Sequence, residues 1–178
     1  MAAGKTVLRS IRLTVEQDKL LEEEAKKKNI SVNSLLSKLI KKYAEWDRYA
    51  EKFGFVSIGR QGFRQLMDSL SEEALVAHGR NVGKMMAPDI TRFWFGKLDL
   101  ESFLSFIESQ SKYSGIYQFE AASQGRTHTI TFHHELGSNY NIVLSNYFDE
   151  AIRNIVGVAP KIEMGNNSFV ISFTEPRA

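Results

Sequence analysis

Val7-Leu8-Arg9-Ser10-Ile11-Arg12-Leu13-Thr14-Val15 alternates in character and runs directly into a helical pattern. A period of two puts Arg9, Ile11 and Leu13 on one face and Leu8, Ser10 and Arg12 on the other. On this reading residues 7–15 are a strand, yet no second strand lies near it in the sequence. Its backbone donors and acceptors need partners, and an isolated strand is not stable in water. The economical expectation is a two-stranded ribbon made with the same segment of a second copy, and hence an obligate homodimer.

Two short amphipathic helices follow, broken at Asn29-Ile30-Ser31. Thr14 is a suitable N-cap, Glu16 and Asp18 lie in the first turn, and Lys26-Lys27-Lys28 suit the C-terminal end of the helix dipole. Asn29 takes the left-handed conformation of a C-cap less readily than glycine, but it is the next-best residue. Ser31 caps a second helix in which Leu35, Leu36, Leu39, Ile40 and Tyr43 recur at steps of three and four. The expected dimer core is Ile11 and Leu13 from the strand with Leu36, Leu39, Ile40 and Tyr43. Trp46, Ala50 and Phe53 continue the stripe to Gly54, so a nearly rigid helical connection is expected, with no Pro/Ser-rich linker.

The elements Ile11-Arg12-Leu13-Thr14, Ala25, and Ile30-Ser31-Val32-Asn33-Ser34 carry a likeness. On them, residues 8–46 resemble the ribbon-helix-helix DNA-binding family, to which the Arc and methionine repressors belong. The resemblance implies double-stranded DNA as partner, with the ribbon in the major groove. Leu8, Ser10 and Arg12 would face base edges, and Ser31, Val32, Asn33 and Ser34 would hold a phosphate at the positive end of the helix dipole. Leu8 stands where a polar residue is common in the family, Arg9 where an apolar one is, and Asn29 where glycine is. Direct readout is therefore expected to rest mainly on Ser10 and Arg12.

The chain has 178 residues, of which 43% are hydrophobic and 25% charged, and it contains no cysteine. Disulfides, thiolate metal sites and cysteine nucleophiles are thereby excluded. No apolar run approaches the roughly 18 residues of a membrane span, and no signal-peptide core is present, so a cytoplasmic location without membrane partners is expected. Residues 1–52 hold 12 Lys/Arg and 8 Asp/Glu, a net of +4, whereas residues 53–178 hold 11 and 13, a net of −2. The basic excess falls on the segment assigned to DNA.

The pattern changes after residue 53, giving two expected domains, 1–52 and 53–178. Helical spacing appears over residues 63–70 and 71–86, where Pro88 is expected to end it, and again over residues 99–112. Strands are read at 116–122 and 126–134, joined across Ser123-Gln124-Gly125, and at 161–164 and 169–173, joined across Gly165-Asn166-Asn167. A longer helix with the stripe Tyr140, Val143, Leu144, Tyr147, Ala151, Ile152 and Ile155 lies between them. The expected fold is α+β, helices then β-β-α-β-β, with an antiparallel sheet.

The densest chemical cluster is Arg126 to Glu135, whose alternation puts His128, Ile130, Phe132 and His134 on one face. His128 and His134 would lie about 20 Å apart along an ideal strand, so no metal site is expected, and Arg126, His128 and His134 stand only as a candidate ligand site. Gly79-Arg80-Asn81-Val82-Gly83-Lys84 is one residue short of a phosphate loop and lacks its Ser/Thr. Gly137-Ser138-Asn139 enters a helix and reads chiefly as a turn, and Phe93-Trp94-Phe95 with Phe103 reads chiefly as core. No convergent nucleophile, base and orienting group is found, so neither an enzyme nor a cofactor is expected. The favoured reading is a homodimeric, or tetrameric, transcription regulator whose second domain senses a small-molecule effector or drives assembly. The alternative is a scaffold or antitoxin-like protein in which the ribbon only dimerises.

Overall fold

The computed structural model describes residues 7–177 and divides into two compact units, Met1–Ala44 and Glu45–Ala178. Residues 1–6 of the expected first domain lie outside the described residues. No helix among the described residues is long and apolar enough to cross a membrane.

In the first unit, α1 (Val15–Lys27) and α2 (Val32–Lys42) form where the capping residues dictate. Thr14 Oγ1 accepts from the amide of Gln17 at 3.2 Å, and Gln17 Oε1 accepts from the amide of Thr14 at 3.0 Å, which is a reciprocal capping box. Asn29 adopts φ 50°, and the amides of Asn29 and Ile30 donate to the carbonyls of Lys26 and Ala25, closing α1 with a Schellman motif. The expected ribbon is not seen. Residues 7–14 form no strand, and the first strand among the described residues begins at Gln118. Among the described residues no strand pairs with that segment, and its side chains, Ile11 and Leu13 included, stand exposed. The fold class is therefore corrected to α+β with an N-terminal unit whose regular elements, among the described residues, are all helices.

A π-helical segment, Tyr43–Asp47, and α3 (Arg48–Phe53) follow α2. The division into units falls eight residues before the expected 52/53 boundary, because Trp46 and Ala50 are buried in the core of the second unit. Trp46 packs against Trp94 at 5.2 Å between ring centroids, and Trp94 Nε1 donates to the carbonyl of Glu45.

The second unit continues with α4 (Arg60–Asp68), α5 (Glu72–Asn81), a π-helical segment Val82–Met86, α6 (Ala87–Phe95) and α7 (Leu100–Ser114). Pro88 does not end the helical run, contrary to expectation. It sits in the first turn of α6, where its missing N–H is not needed, and the preceding backbone has shifted to i→i+5 bonding, the amide of Ala87 donating to the carbonyl of Val82. Strands β1 (Gln118–Gln124) and β2 (Thr127–His133), helix α8 (Ser138–Val156), and strands β3 (Lys161–Met164) and β4 (Ser168–Thr174) complete the unit. The sheet is antiparallel in the order β1-β2-β4-β3.

Alternation decides the two faces of the sheet. His128, Ile130 and Phe132 of β2 and Phe169, Ile171 and Phe173 of β4 are buried, while Thr127, Thr129 and His133 face outward. Phe132 stands opposite Phe169 in the register, stacked at 4.5 Å, and Phe148 of α8 packs on both. Each such fully buried ring contributes about 1.5–3 kcal/mol. The glycines that suggested a phosphate loop serve packing instead. A Cβ on Gly79 would lie 2.4 Å from the carbonyl oxygen of Val143, and one on Gly83 would lie 2.2 Å from that of Tyr147, so only glycine lets this run press against the backbone of α8.

Candidate functional site

The residues assigned to DNA lie in the first unit. Leu8, Ser10 and Arg12 are exposed on the irregular segment ahead of Thr14. At the start of α2, the Ser31 hydroxyl is occupied: it accepts from the amide of Ser34 and donates to that residue's hydroxyl. The amides of Val32 and Asn33, in the first turn, have no acceptor within the helix and point along the positive end of its dipole. Of the residues assigned to a dimer core, Leu36 is half-buried, whereas Leu39 is 49%, Ile40 68% and Tyr43 58% exposed. The helical stripe read from the sequence exists, and within the described chain it is uncovered.

Arg126, His128 and His134 do not converge. Arg126 and His128 lie at one end of β2 and His134 just past the other. His128 is held between Ser123 Oγ, 2.8 Å from Nδ1, and Glu175 Oε1, 2.7 Å from Nε2, with its ring stacked on Phe173. The amide of Glu175 also donates to the carbonyl of Arg126, so this group ties the β1–β2 turn to the end of β4. A serine–histidine–carboxylate series can activate a nucleophile, but acyl transfer also needs donors for the oxyanion, and none of the three residues lines the cavities described below. No group of three or more His, Asp or Glu able to hold a metal ion is present among the described residues.

His134 is buried in a different network. The Leu136 amide donates to Nδ1, which leaves Nε2–H to donate to Asn141 Oδ1 at 2.6 Å, so the neutral ring is the form that fits. Asn141 Nδ2 donates in turn to the carbonyls of Gly165 and Asn166, joining the start of α8 to the β3–β4 turn. Burial, with a smaller push from His133, lowers the His134 pKa below 6.5, against the opposing effect of Asn141. The unfolded chain therefore takes up this proton first. The stabilisation is intact above pH 6.5 and is lost as pH falls toward the lowered folded value. Thermal melts between about pH 7.5 and about pH 5.5 are expected to show a falling Tm, with a shallower fall for His134→Gln. Equal slopes would remove His134 as the cause. His134 also edges a polar pocket with His133, Arg60 and Glu135, in which Arg60 pairs with Glu135 and donates to the carbonyl of Gly115.

A separate cavity of about 180 Å³ lies among α4, α5, the Val82–Met86 segment, α6, α7 and α8. Phe63, Phe106, Tyr117, Tyr140, Tyr147 and Phe148 are among the rings that line it. The Tyr117 hydroxyl donates to Gln110 Oε1 at 2.6 Å. The hydroxyls of Tyr140 and Tyr147 make no hydrogen bond among the described residues, and burial pushes both phenols well above their ordinary value, so they stay protonated. The sequence places Tyr140, Val143, Leu144 and Tyr147 on one helical stripe but gives no sign that two phenols on it lack partners. The aromatic run singled out instead, Phe93 to Phe95 with Phe103, does not line the cavity; Trp94 and Phe103 are core. Nor is Gly137 an anion site, since its amide donates to Asn167 Oδ1.

Comparison with protein families, with curated proteins and with solved structures finds no match to this chain.

Proposed function

We propose that this chain is a sequence-specific DNA-binding transcription regulator that acts as a homodimer and whose second unit senses a small molecule. The observation that carries this reading is the unfinished core of the first unit. Its two helices, 13 and 11 residues long, bury only Ala25 and Leu35 among the described residues and leave Leu39, Ile40 and Tyr43 in water. Helices this short owe their stability to packing of an apolar face, and a second copy offers the same stripe around a twofold axis. The dimer would bring together two sets of Leu8, Ser10 and Arg12, together with two basic N-terminal segments. The free amides of Val32 and Asn33 would each hold a phosphate, as the likeness at residues 30–34 implies.

The test is to capture fragmented genomic DNA on the purified full-length protein and sequence it. Enrichment of one motif supports the regulator, and an unenriched dimer would leave the scaffold reading. Arg12 is the one residue of the three that can make a bidentate contact to guanine, so Arg12→Ala is expected to weaken binding to the preferred site by about 1–3 kcal/mol and to relax sequence preference. Fluorescence anisotropy on the enriched and a scrambled duplex measures both. Unchanged affinity and preference would remove residues 8–12 from the readout.

A further inference from the structure

We infer that the cavity in the second unit is a binding site for a small, uncharged aromatic molecule that carries one hydrogen-bond acceptor, on the scale of a substituted benzene. The inference deepens the sensing role proposed above and rests on it only for the effect on DNA, not for binding itself.

Size comes first. A cavity of about 180 Å³ is slightly larger than the roughly 150 Å³ apolar cavity that accepts benzene. Phenylalanine and tyrosine rings make up half of its lining, with Val82, Met86 and Ile90; no Lys, Arg, Asp or Glu lines it, and its one imidazole, His78, is itself exposed. An ionised guest would lose its hydration without gaining a buried counter-charge, so the occupant is neutral. The rings favour an aromatic guest through edge and offset contacts.

The polar groups then specify the acceptor. Tyr140 is only 5% exposed and Tyr147 is half-buried, and tyrosine hydroxyls so placed normally find a protein partner. Neither has one among the described residues; both line the cavity, and their hydroxyl oxygens keep accessible surface, Ser102 Oγ being the one fully buried side-chain polar atom left without a partner among the described residues. The Gln110 side chain spends its oxygen on Tyr117 and has no hydrogen bond from its amide nitrogen, which adds a third unengaged donor at the wall. An acceptor atom on the guest satisfies donors that the fold leaves unused. The lining also includes the π-helical segment, through Val82 and Met86, and such local widenings of a helix often occur at functional sites. Met86 and Phe55, both partly exposed, stand where a guest would pass, and an unbranched methionine readily changes rotamer.

The experiment titrates the full-length protein with acetophenone, benzene and benzoate by calorimetry, with aromatic NMR shifts to locate the guest. Acetophenone is expected to bind one to one, about 5- to 10-fold more tightly than benzene, and benzoate more weakly than either. In the double variant Tyr140→Phe/Tyr147→Phe, acetophenone should fall to the level of benzene while benzene stays unchanged, a split that mere loss of packing would not produce. Val82→Phe, which fills the space, should abolish binding of both; if it does not fold, the tyrosine variant decides. Failure of every probe to bind saturably to the wild-type protein would overturn the inference, and so would equal affinity for acetophenone and benzene. Measuring DNA affinity with and without acetophenone separates the two proposals. Binding without any effect on DNA leaves the cavity assigned and ends the sensing role, whereas no binding with intact DNA recognition ends only the assignment.

Discussion

Leu39→Asp is expected to convert the proposed dimer to a monomer and to remove the proposed DNA binding. In the chain alone Leu39 is 49% exposed on α2, and at such a position a substitution changes stability by no more than about 0.5 kcal/mol. In a dimer whose core is Leu36, Leu39, Ile40 and Tyr43, each copy buries that carboxylate without a partner, at a cost of about 3–5 kcal/mol per copy. One copy alone corresponds to a weakening of association by about two to four orders of magnitude, and the second adds to it. The two situations therefore give different results in one experiment. Analytical ultracentrifugation at micromolar concentration is expected to find a dimer for the wild type and a monomer for Leu39→Asp, while the second unit melts as before. DNA affinity should fall with it, because a monomer presents one set of contacts where a dimer presents two. A stable, DNA-competent dimer carrying Leu39→Asp would place the interface elsewhere and leave the exposed stripe of α2 without a role.

What the sequence makes legible in this unit is what local chemistry determines. The helix ends follow from Thr14, Gln17, Asn29 and Ser31, whose side chains and backbone bond within three or four residues of themselves. Residues 7–14 are different. Alternation marks a segment that could lie on a sheet, but a strand exists only where a second strand bonds to it, and none does so among the described residues. Periodicity is a property of the segment; pairing is a property of its surroundings.

The second unit repeats the lesson. Alternation over residues 127–133 correctly separates His128, Ile130 and Phe132 from Thr127, Thr129 and His133, because β4 is present to pair with β2 and α8 to cover it. The antiparallel order β-β-α-β-β is likewise readable from hairpin spacing. Pro88 misleads because proline excludes an ordinary helix interior but not the first turn after a π-helical widening. The cavity is the least readable feature. Its wall is drawn from five helices, a π-helical segment and two connecting segments between residues 55 and 148, and most of its residues read as ordinary core positions in their own elements. That two phenols there have no partner among the described residues is a fact about distances between elements, which no stripe records.

The same logic gives Gly79 and Gly83 a role that the sequence alone cannot assign, and it makes Gly83→Val the most damaging single change expected in the second unit. A Cβ at that position would stand 2.2 Å from the carbonyl oxygen of Tyr147 and 2.9 Å from its Cα and carbonyl carbon. These are backbone atoms, so no rotamer change relieves the clash; α8 must move away from the helical run, and Gly79, one turn earlier against Val143, resists the movement. The cost is expected to exceed about 3 kcal/mol, the upper end of what overpacking usually incurs. Because Val143, Tyr147 and Val82 also line the cavity, the displacement should abolish acetophenone binding even where the variant remains folded. Gly62→Ala is the opposing control: Gly62 lies within α4 with nothing inside 4 Å of its would-be Cβ, and alanine there should stabilise by about 0.5–1 kcal/mol. Urea unfolding followed by tryptophan fluorescence, which reports on buried Trp46 and Trp94, reads both signs in the same unit. If the two replacements shift the midpoint alike, the close approach of α8 does not hold the unit together and the cavity wall needs another explanation.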